Sequence, residues 1–285
     1  MPTEELPSFD LVVATVGRVD ELDRLLGSLE RQTHRRLAVH VVDQNDDDRL
    51  RPVLAAHPDL DIARLRSQRG LSRARNVGLA HVAADLVAFP DDDCVYPDDL
   101  LARVARTFAM QPKLEGLAGR VVDDRGDSAT TWDLEPALLG RDNLWNRVNS
   151  AALFLRRDVV GRVGSFDERL GVGSGEPWSS SEEVDYLVRA LEHGARIAYD
   201  PQLVVVHPIA VLDAPLGFRD GASVGYVLRK HGYPVRVVAR MLVRPLGGTL
   251  VSLVRRDATR ARFHAAALRG RLHGYRRARS AKSSA

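Results

Sequence analysis

At 285 residues and 45% hydrophobic content, the chain can bury a sizeable core as one large domain or one domain with an appendage. A single cysteine, Cys94, excludes an internal disulfide framework, and no zinc-ligand spacing is present. The net charge of +3 hides an asymmetry: from Arg219 onward 16 Lys and Arg face 2 acidic residues, whereas residues 1–218 carry 25 against 36. This pairs an acidic body with a tail suited to a polyanion, whether a membrane surface, a lipid phosphate or nucleic acid.

Met1 to Asp10 holds three acidic residues and no apolar run, so no signal peptide is expected and the expected location is the cytoplasm. Leu11-Val12-Val13-Ala14-Thr15 is apolar and β-branched, as a central strand requires, and Val16-Gly17-Arg18 breaks it. Asp20 then fits as the N-cap of a helix with Leu22, Leu25, Leu26 and Leu29 on one face. Leu37 to Val42 predicts a second strand, giving a parallel strand–helix–strand unit. His40 within it reads as a packed or edge histidine. Asp43 ends that strand, where a carboxylate can accept from a base edge or a ribose hydroxyl; a turn-forming role is the plain alternative.

Gly70 to Ala80 carries Ser72 as a helix cap, with Arg73, Arg75 and Asn76 in the first turns of a helix to about Ala83. A helix start with guanidinium groups favours anions, although an exposed basic face has the same composition. Asp85 to Phe89 predicts a short buried strand, followed by Pro90 and the triplet Asp91-Asp92-Asp93. Adjacent carboxylates raise one another's pKa unless a cation sits among them. Mg²⁺ or Mn²⁺ is the natural partner, and the strand's carboxyl end is where open α/β sheets bind ligands. A solvated acidic turn is the alternative. Cys94 follows the triplet directly, and neighbouring carboxylates make it a poor nucleophile.

A helix from Pro97 to about Met110, capped by Tyr96 or Asp98, comes next, then a strand over 116–122 and a polar, irregular stretch to Gly140. Asn143 to Ser150 precedes a strand over 151–155, and Gly171 to Ser181 is a glycine- and serine-rich loop carrying Trp178. Such a loop suits a lid or a platform for a sugar acceptor, and equally a plain surface loop. Ser181 fits as the cap of a helix with Glu182, Glu183 and Asp185 in its first turn. Those acids complement the helix dipole, and one behind a mobile loop also meets the needs of a general base. Strands over 196–199 and 203–206 end at His207, which could complete a metal shell at the sheet edge.

Thr15 and Arg18 after the first strand, Val41-Val42-Asp43, Ala74-Arg75-Asn76-Val77-Gly78, the aspartate triplet and Glu182-Glu183-Val184-Asp185 follow one another in a recognisable order. Over roughly residues 10–208 the chain resembles a family 2 glycosyltransferase of the inverting, GT-A type. The resemblance implies a Rossmann-like, mixed and mostly parallel sheet flanked by helices. It also implies that Thr15, Arg18 and Asp43 hold the nucleoside, that Arg75 lies near the nucleotide, and that Asp91 and Asp93 are the outer members of the Asp-X-Asp motif. Asp91, Asp93 and His207 would reach the metal, Mn²⁺ or Mg²⁺, with Asp92 near the ribose. Glu183 matches the family's catalytic aspartate.

The chain departs from the family's pattern in specific places. Ala14-Thr15-Val16-Gly17 stands where the family has Pro-Thr-Tyr-Asn, so the aromatic that stacks on uracil is missing and a UDP, dTDP or GDP sugar remains open as donor. Glu183 is one methylene longer than the family's aspartate, which leaves Glu182 or Asp185 as alternative bases. The implied reaction transfers a sugar to the hydroxyl of a glycan or lipid-linked acceptor, as in cell-envelope or polysaccharide synthesis. A nucleotidyltransferase of related fold, or a nucleotide-sugar-binding scaffold without catalysis, is the alternative.

The expected division is a catalytic domain over 1–218 and a basic helical segment over 219–285. A helix from Asp220 to Gly232 is predicted. Val235 to Val254 reads as too interrupted by Arg236, Arg240, Arg244 and Pro245-Leu246-Gly247-Gly248 to span a bilayer. A basic segment on an anionic membrane fits, making the protein peripheral on the inner face of the cell membrane; packing on the acidic body is the alternative. Basic character continues from Arg255 to Lys282, with fraying after Ala278. Aromatics are sparse and no nucleic-acid motif is present, so nucleic acid is not an expected partner.

Overall fold

The computed structural model describes residues 5–278, so the expected fraying beyond Ala278 lies outside the described residues. The chain forms two compact units. The first holds the chain through Arg69, Arg73–Phe166 and Tyr186–Ile209; the second holds Gly70–Ser72, Asp167–Asp185 and the chain from Ala210 on.

The first unit contains β1 (Phe9–Thr15), α1 (Asp20–Glu30), β2 (Leu37–Asp43), α2 (Arg51–Ala55) and β3 (Asp61–Arg66). Helix α3 (Leu71–Leu79) begins with second-unit residues and ends in the first. Then come β4 (Leu86–Ala88), α4 (Leu100–Met110), β5 (Gly116–Val122), β6 (Ala137–Leu138), β7 (Leu153–Arg156) and α5 (Arg157–Val163). Helix α6 (Glu182–Glu192) again starts among second-unit residues, and β8 (Ile197–Val206) closes the unit. The strands form one eight-stranded sheet in the order β3-β2-β1-β4-β7-β5-β8-β6. The mixed, mostly parallel sheet flanked by helices that the sequence implies is what is found.

Apolar periodicity accounts for the centre of the sheet. Leu11 and Val13 of β1 and Val39 and Val41 of β2 are fully buried, and the Leu22, Leu25, Leu26 and Leu29 face of α1 joins them in one cluster. Neighbours β2 and β4 pair parallel to β1 on either side, so Thr15, Asp43 and the residues after Ala88 leave the sheet at one edge. Strand β7 runs antiparallel to β4 and β5, which returns β5 and its parallel partner β8 to the direction of β4. His207 therefore leaves β8 at that same edge, where open α/β sheets take their ligands.

Several local expectations are corrected. Residues 197–206 make one strand instead of two; the Asp200-Pro201-Gln202 interruption is absorbed by a register shift between Ala118 and Arg120 on β5, with Arg120 Nε donating to Pro201 O at 2.7 Å. Val19, not Asp20, is the N-cap of α1, and Asp99 precedes α4, which starts at Leu100. Helix α3 stops at Leu79, short of Ala83.

The second unit is built on α7 (Ala214–Lys230), α8 (Val235–Val254) and α9 (Ala258–Arg277). Asp213 caps α7, accepting from Leu216 N at 2.7 Å, so that helix begins ahead of the expected Asp220. Helices α7 and α9 meet backbone to backbone. Gly217, Gly221 and Gly225 on α7 face the carbonyls of Phe263, Ala267 and Arg271, while Gly270 and Gly274 on α9 face Phe218 and Ala222. A Cβ at any of these five positions would collide with main chain, so glycine spacing sets the separation of the pair.

The expected break at Pro245 does not occur: α8 runs unbroken for 20 residues and is long and apolar enough to cross a bilayer by length and composition. Proline at position 245 has no N–H to give the carbonyl of Met241. Arg271 Nη1, from α9, donates to that carbonyl instead. The freed acceptor is satisfied from outside the helix, and the helix continues.

Candidate active site

The acidic loop after β4 is fixed to the end of β8 by a two-bond bridge. Val95 N donates to Val206 O at 2.8 Å and Val206 N to Val95 O at 3.1 Å. This bridge brings His207 to the triplet: Nε2 lies 3.2 Å from Asp93 Oδ1 and 3.5 Å from Asp91 Oδ2. The ring's other nitrogen, Nδ1, is 2.8 Å from Pro208 O, which fixes the ring's orientation.

Arg18, on the loop after β1, supplies the cation on the other side. Its Nη1 reaches Asp92 Oδ1 at 2.7 Å and Asp93 Oδ2 at 2.6 Å. Burial pushes the Asp92 carboxyl up despite Arg18. Burial acts the same way on Asp93, but His207 and Arg18 outweigh it and hold that carboxyl below the usual range. Burial depresses the His207 imidazole, yet Asp91 and Asp93 together carry it up to about 10. Environment thus separates neighbouring, chemically identical carboxyls.

Arg75, on α3, also reaches Asp91. Its guanidinium is buried, lies 5.9 Å from the Phe89 ring centre and 5.6 Å from that of Phe166, and donates to Asp91 Oδ1 at 3.0 Å. Phe166 is held in turn by stacking on Tyr186 at 4.2 Å. Ser150 Oγ lies 3.5 Å from the same Asp91 oxygen. Cys94, between the triplet and the bridge, is fully buried, and burial with Asp91 and Asp93 raises its thiol well above the ordinary value, as expected for an inert residue.

Asp43, fully buried, is engaged on both oxygens. Oδ1 accepts from Asn45 N at 2.9 Å and Asn45 Nδ2 at 2.8 Å, while Oδ2 accepts from Arg64 Nε at 3.0 Å and Nη2 at 2.7 Å. Burial opposes its ionisation, but Asn45, Arg64 and Arg66 outweigh it and hold the carboxyl below the usual range. Asn45 Oδ1 also accepts from Gly17 N at 2.7 Å, tying the loop after β1 to Asp43. Thr15, buried at the end of β1, accepts at its carbonyl from Gln44 N at 3.0 Å. Arg64, Arg66 and Asn45 escaped the sequence reading. Their signal was present: Arg64 and Arg66 alternate on β3, and Arg66 is the register partner of Asp43.

Among the described residues no group of three or more His, Cys, Asp and Glu side chains is arranged as a finished metal cage. The residues after β4 nevertheless fit a hard divalent cation. Asp93 Oδ1 is buried and faces His207 Nε2 at 3.2 Å, and two carboxylates with one imidazole form a donor set that leaves positions for phosphate oxygens and water.

The second unit carries the other predicted residues. Glu182, Glu183 and Asp185 open α6 after Ser181, which has a positive φ of 64°. Asp185 is fully buried; its Oδ1 lies 2.6 Å from Lys230 Nζ and 2.7 Å from His231 Nε2. Burial opposes its charge, but these two partners keep the carboxyl low. Lys230 also reaches Asp167 at 2.8 Å, so one ammonium ties both ends of the 167–185 segment to α7. Trp178, offered by the sequence as an acceptor platform, is buried and stacks on Tyr226 at 4.7 Å, which covers one ring face.

The mixed, mostly parallel eight-stranded sheet flanked by helices is the fold of GT-A glycosyltransferases. The structure is similar to a mannosyltransferase, PcManGT from Pyrobaculum calidifontis, in complex with GDP-Man and Mn²⁺, with TM-score 0.63 and 16% identity over 94% of this chain and 88% of that one. It is also similar to S. aureus TarS in complex with UDP-GlcNAc, with TM-score 0.60 and 16% identity over 91% and 90%. Residues 10–161 match the model of glycosyl transferase family 2, and the chain belongs to that family. A curated relative, the pre-mycofactocin glycosyltransferase of Mycobacterium tuberculosis, is 28% identical over 87% of this chain; the chain spans 58% of that relative's length.

Proposed function

We propose that the protein transfers a sugar from a nucleoside diphosphate donor to an acceptor hydroxyl with inversion at the anomeric carbon. The observation that carries this reading is the meeting of Asp91, Asp93 and His207 beside two guanidinium groups, Arg18 and Arg75. The named complexes of its structural neighbours with GDP-Man and UDP-GlcNAc support a donor of this class.

In this reading Thr15 and Asp43 orient the nucleoside and Asp92 the ribose. Asp43 is already saturated, so it acts by holding Asn45, Arg64 and Arg66 in place as much as by direct contact. Arg18 and Arg75 offer planar donors that suit phosphate oxygens. Asp91, Asp93 and His207 hold Mn²⁺ or Mg²⁺, whose chemistry when bound is to stabilise charge on a departing diphosphate. Glu183 takes the proton from the acceptor hydroxyl, whose oxygen forms the new bond to the anomeric carbon as the bond to the diphosphate breaks. Asp185, held by Lys230 and His231, is an anchor in this account, and Glu182 is the alternative base.

The test is nucleoside diphosphate release from a panel of UDP, GDP and dTDP sugars, with and without Mn²⁺, together with Glu183→Gln and Glu182→Gln. Glu183→Gln should lower turnover by about 10² to 10⁴ and leave nucleotide Kd unchanged. Unchanged turnover removes Glu183 from the role, and nucleotide binding with no release from any donor replaces the transferase reading with that of a binding scaffold.

A further inference from the structure

Helix α8 has two unlike sides. Val237, Val238, Met241, Pro245 and Ser252 are buried, and these positions fall on one face at 3.6 residues per turn. The opposite face carries Val243, Leu246, Leu250, Leu253 and Val254, each between 47% and 84% exposed. Large side chains in a continuous stripe, unlike single exposed apolar residues, mark an interaction surface. Arg236, Arg240 and Arg244, spaced every fourth residue and all exposed, run along one border of that stripe.

We propose that this outer face of α8 is an in-plane docking surface for an anionic lipid bilayer. Charge complementarity selects that occupant, because the segment from Arg219 onward carries 16 basic residues against 2 acidic ones. An apolar stripe edged by arginines matches a helix lying at the headgroup boundary, with its stripe in the acyl region and its guanidinium groups at lipid phosphates. A spanning placement is disfavoured. Arg244 is the tenth of the helix's 20 residues and would sit near the bilayer midplane, where a charge is costly. The proposal stands on this surface alone and is independent of the transfer reaction.

The test is flotation of the full chain with phosphatidylcholine vesicles, with and without phosphatidylglycerol. The expected result is binding to the anionic vesicles that weakens as salt rises. Arg240→Gln with Arg244→Gln should weaken binding by about 30-fold, with the thermal unfolding midpoint of the variant read alongside. Leu246→Glu with Leu250→Glu should abolish it. Absence of flotation on anionic vesicles, or equal flotation of wild type and both variants, overturns the proposal. A solution dimer that Leu246→Glu with Leu250→Glu converts to monomer, without vesicle binding by either form, assigns the face to a second copy instead. Resistance to alkaline carbonate extraction from cell membranes likewise overturns in-plane docking in favour of a spanning helix.

Discussion

His207 Nε2 sits 3.2 Å from Asp93 Oδ1, although the two residues leave different strands of the sheet, β8 and β4. Removing the imidazole should therefore act on the carboxylates without disturbing the fold. His207→Ala is expected to weaken Mn²⁺ binding by on the order of 10- to 100-fold, as read by titration calorimetry or the loss of the free Mn²⁺ resonance signal. An unchanged Mn²⁺ affinity would place the cation elsewhere.

Arg64 is the principal counter-charge of Asp43, which has no exposed surface. Arg64→Leu leaves that carboxylate with Arg66 and Asn45 alone. The expected cost is about 2 kcal/mol in urea unfolding, less than for complete loss of a buried pair because two partners remain. Nucleotide affinity should fall in parallel.

Acid stability should follow the buried aspartates. Asp10 accepts from Ala83 N at 2.6 Å and Ala84 N at 2.7 Å and lies 3.0 Å from His40 Nε2; these partners outweigh burial and depress its pKa below 3.8. Asp167 and Asp185 are depressed in the same direction. A depressed carboxyl contributes stability above its unfolded pKa and loses it as pH falls through its folded one. The unfolding midpoint should stay level for this contribution down to the ordinary carboxylate value of 3.8 and decline below it. Asp10→Asn should lower the plateau and flatten the decline.

Two glycines of the second unit should respond to alanine with opposite signs. Alanine in a helix ordinarily gains up to about 1 kcal/mol over glycine. At Gly247 on α8 an added Cβ meets nothing within 4 Å, so Gly247→Ala should raise the unfolding midpoint. At Gly221 the Cβ would strike the Ala267 main chain, which cannot rotate away, and Gly221→Ala should cost about 2 kcal/mol net. Calorimetry of the two variants side by side checks both signs.

Apolar runs and alternation made β1, β2 and the buried face of α1 legible in the sequence, because burial alone decides those residues. The acidic triplet and His207 were legible as types, since they stand where strands end. What brings them together was not: the Val95–Val206 bridge is two main-chain bonds between residues whose side chains have no special character. The continuity of α8 was misread for a similar reason. Pro245 signals a break locally, and the group that compensates, Arg271, belongs to another helix. The glycine spacing of α7 and α9 carries meaning only once the helices face each other.

The Val95–Val206 bridge also divides the sequence between its ends into parts with different freedom. Because the loop and the strand are stitched directly to each other, their alignment does not depend on the length of the path that connects them. The largely exposed, irregular stretch from Asp124 to Thr131, ahead of Trp132 and Asp133, which bond to Val121 O and the Tyr199 hydroxyl, is such a path. Insertions or deletions there would leave the imidazole and the carboxylates in register, so this is where the chain can be lengthened or trimmed without rebuilding that edge of the sheet.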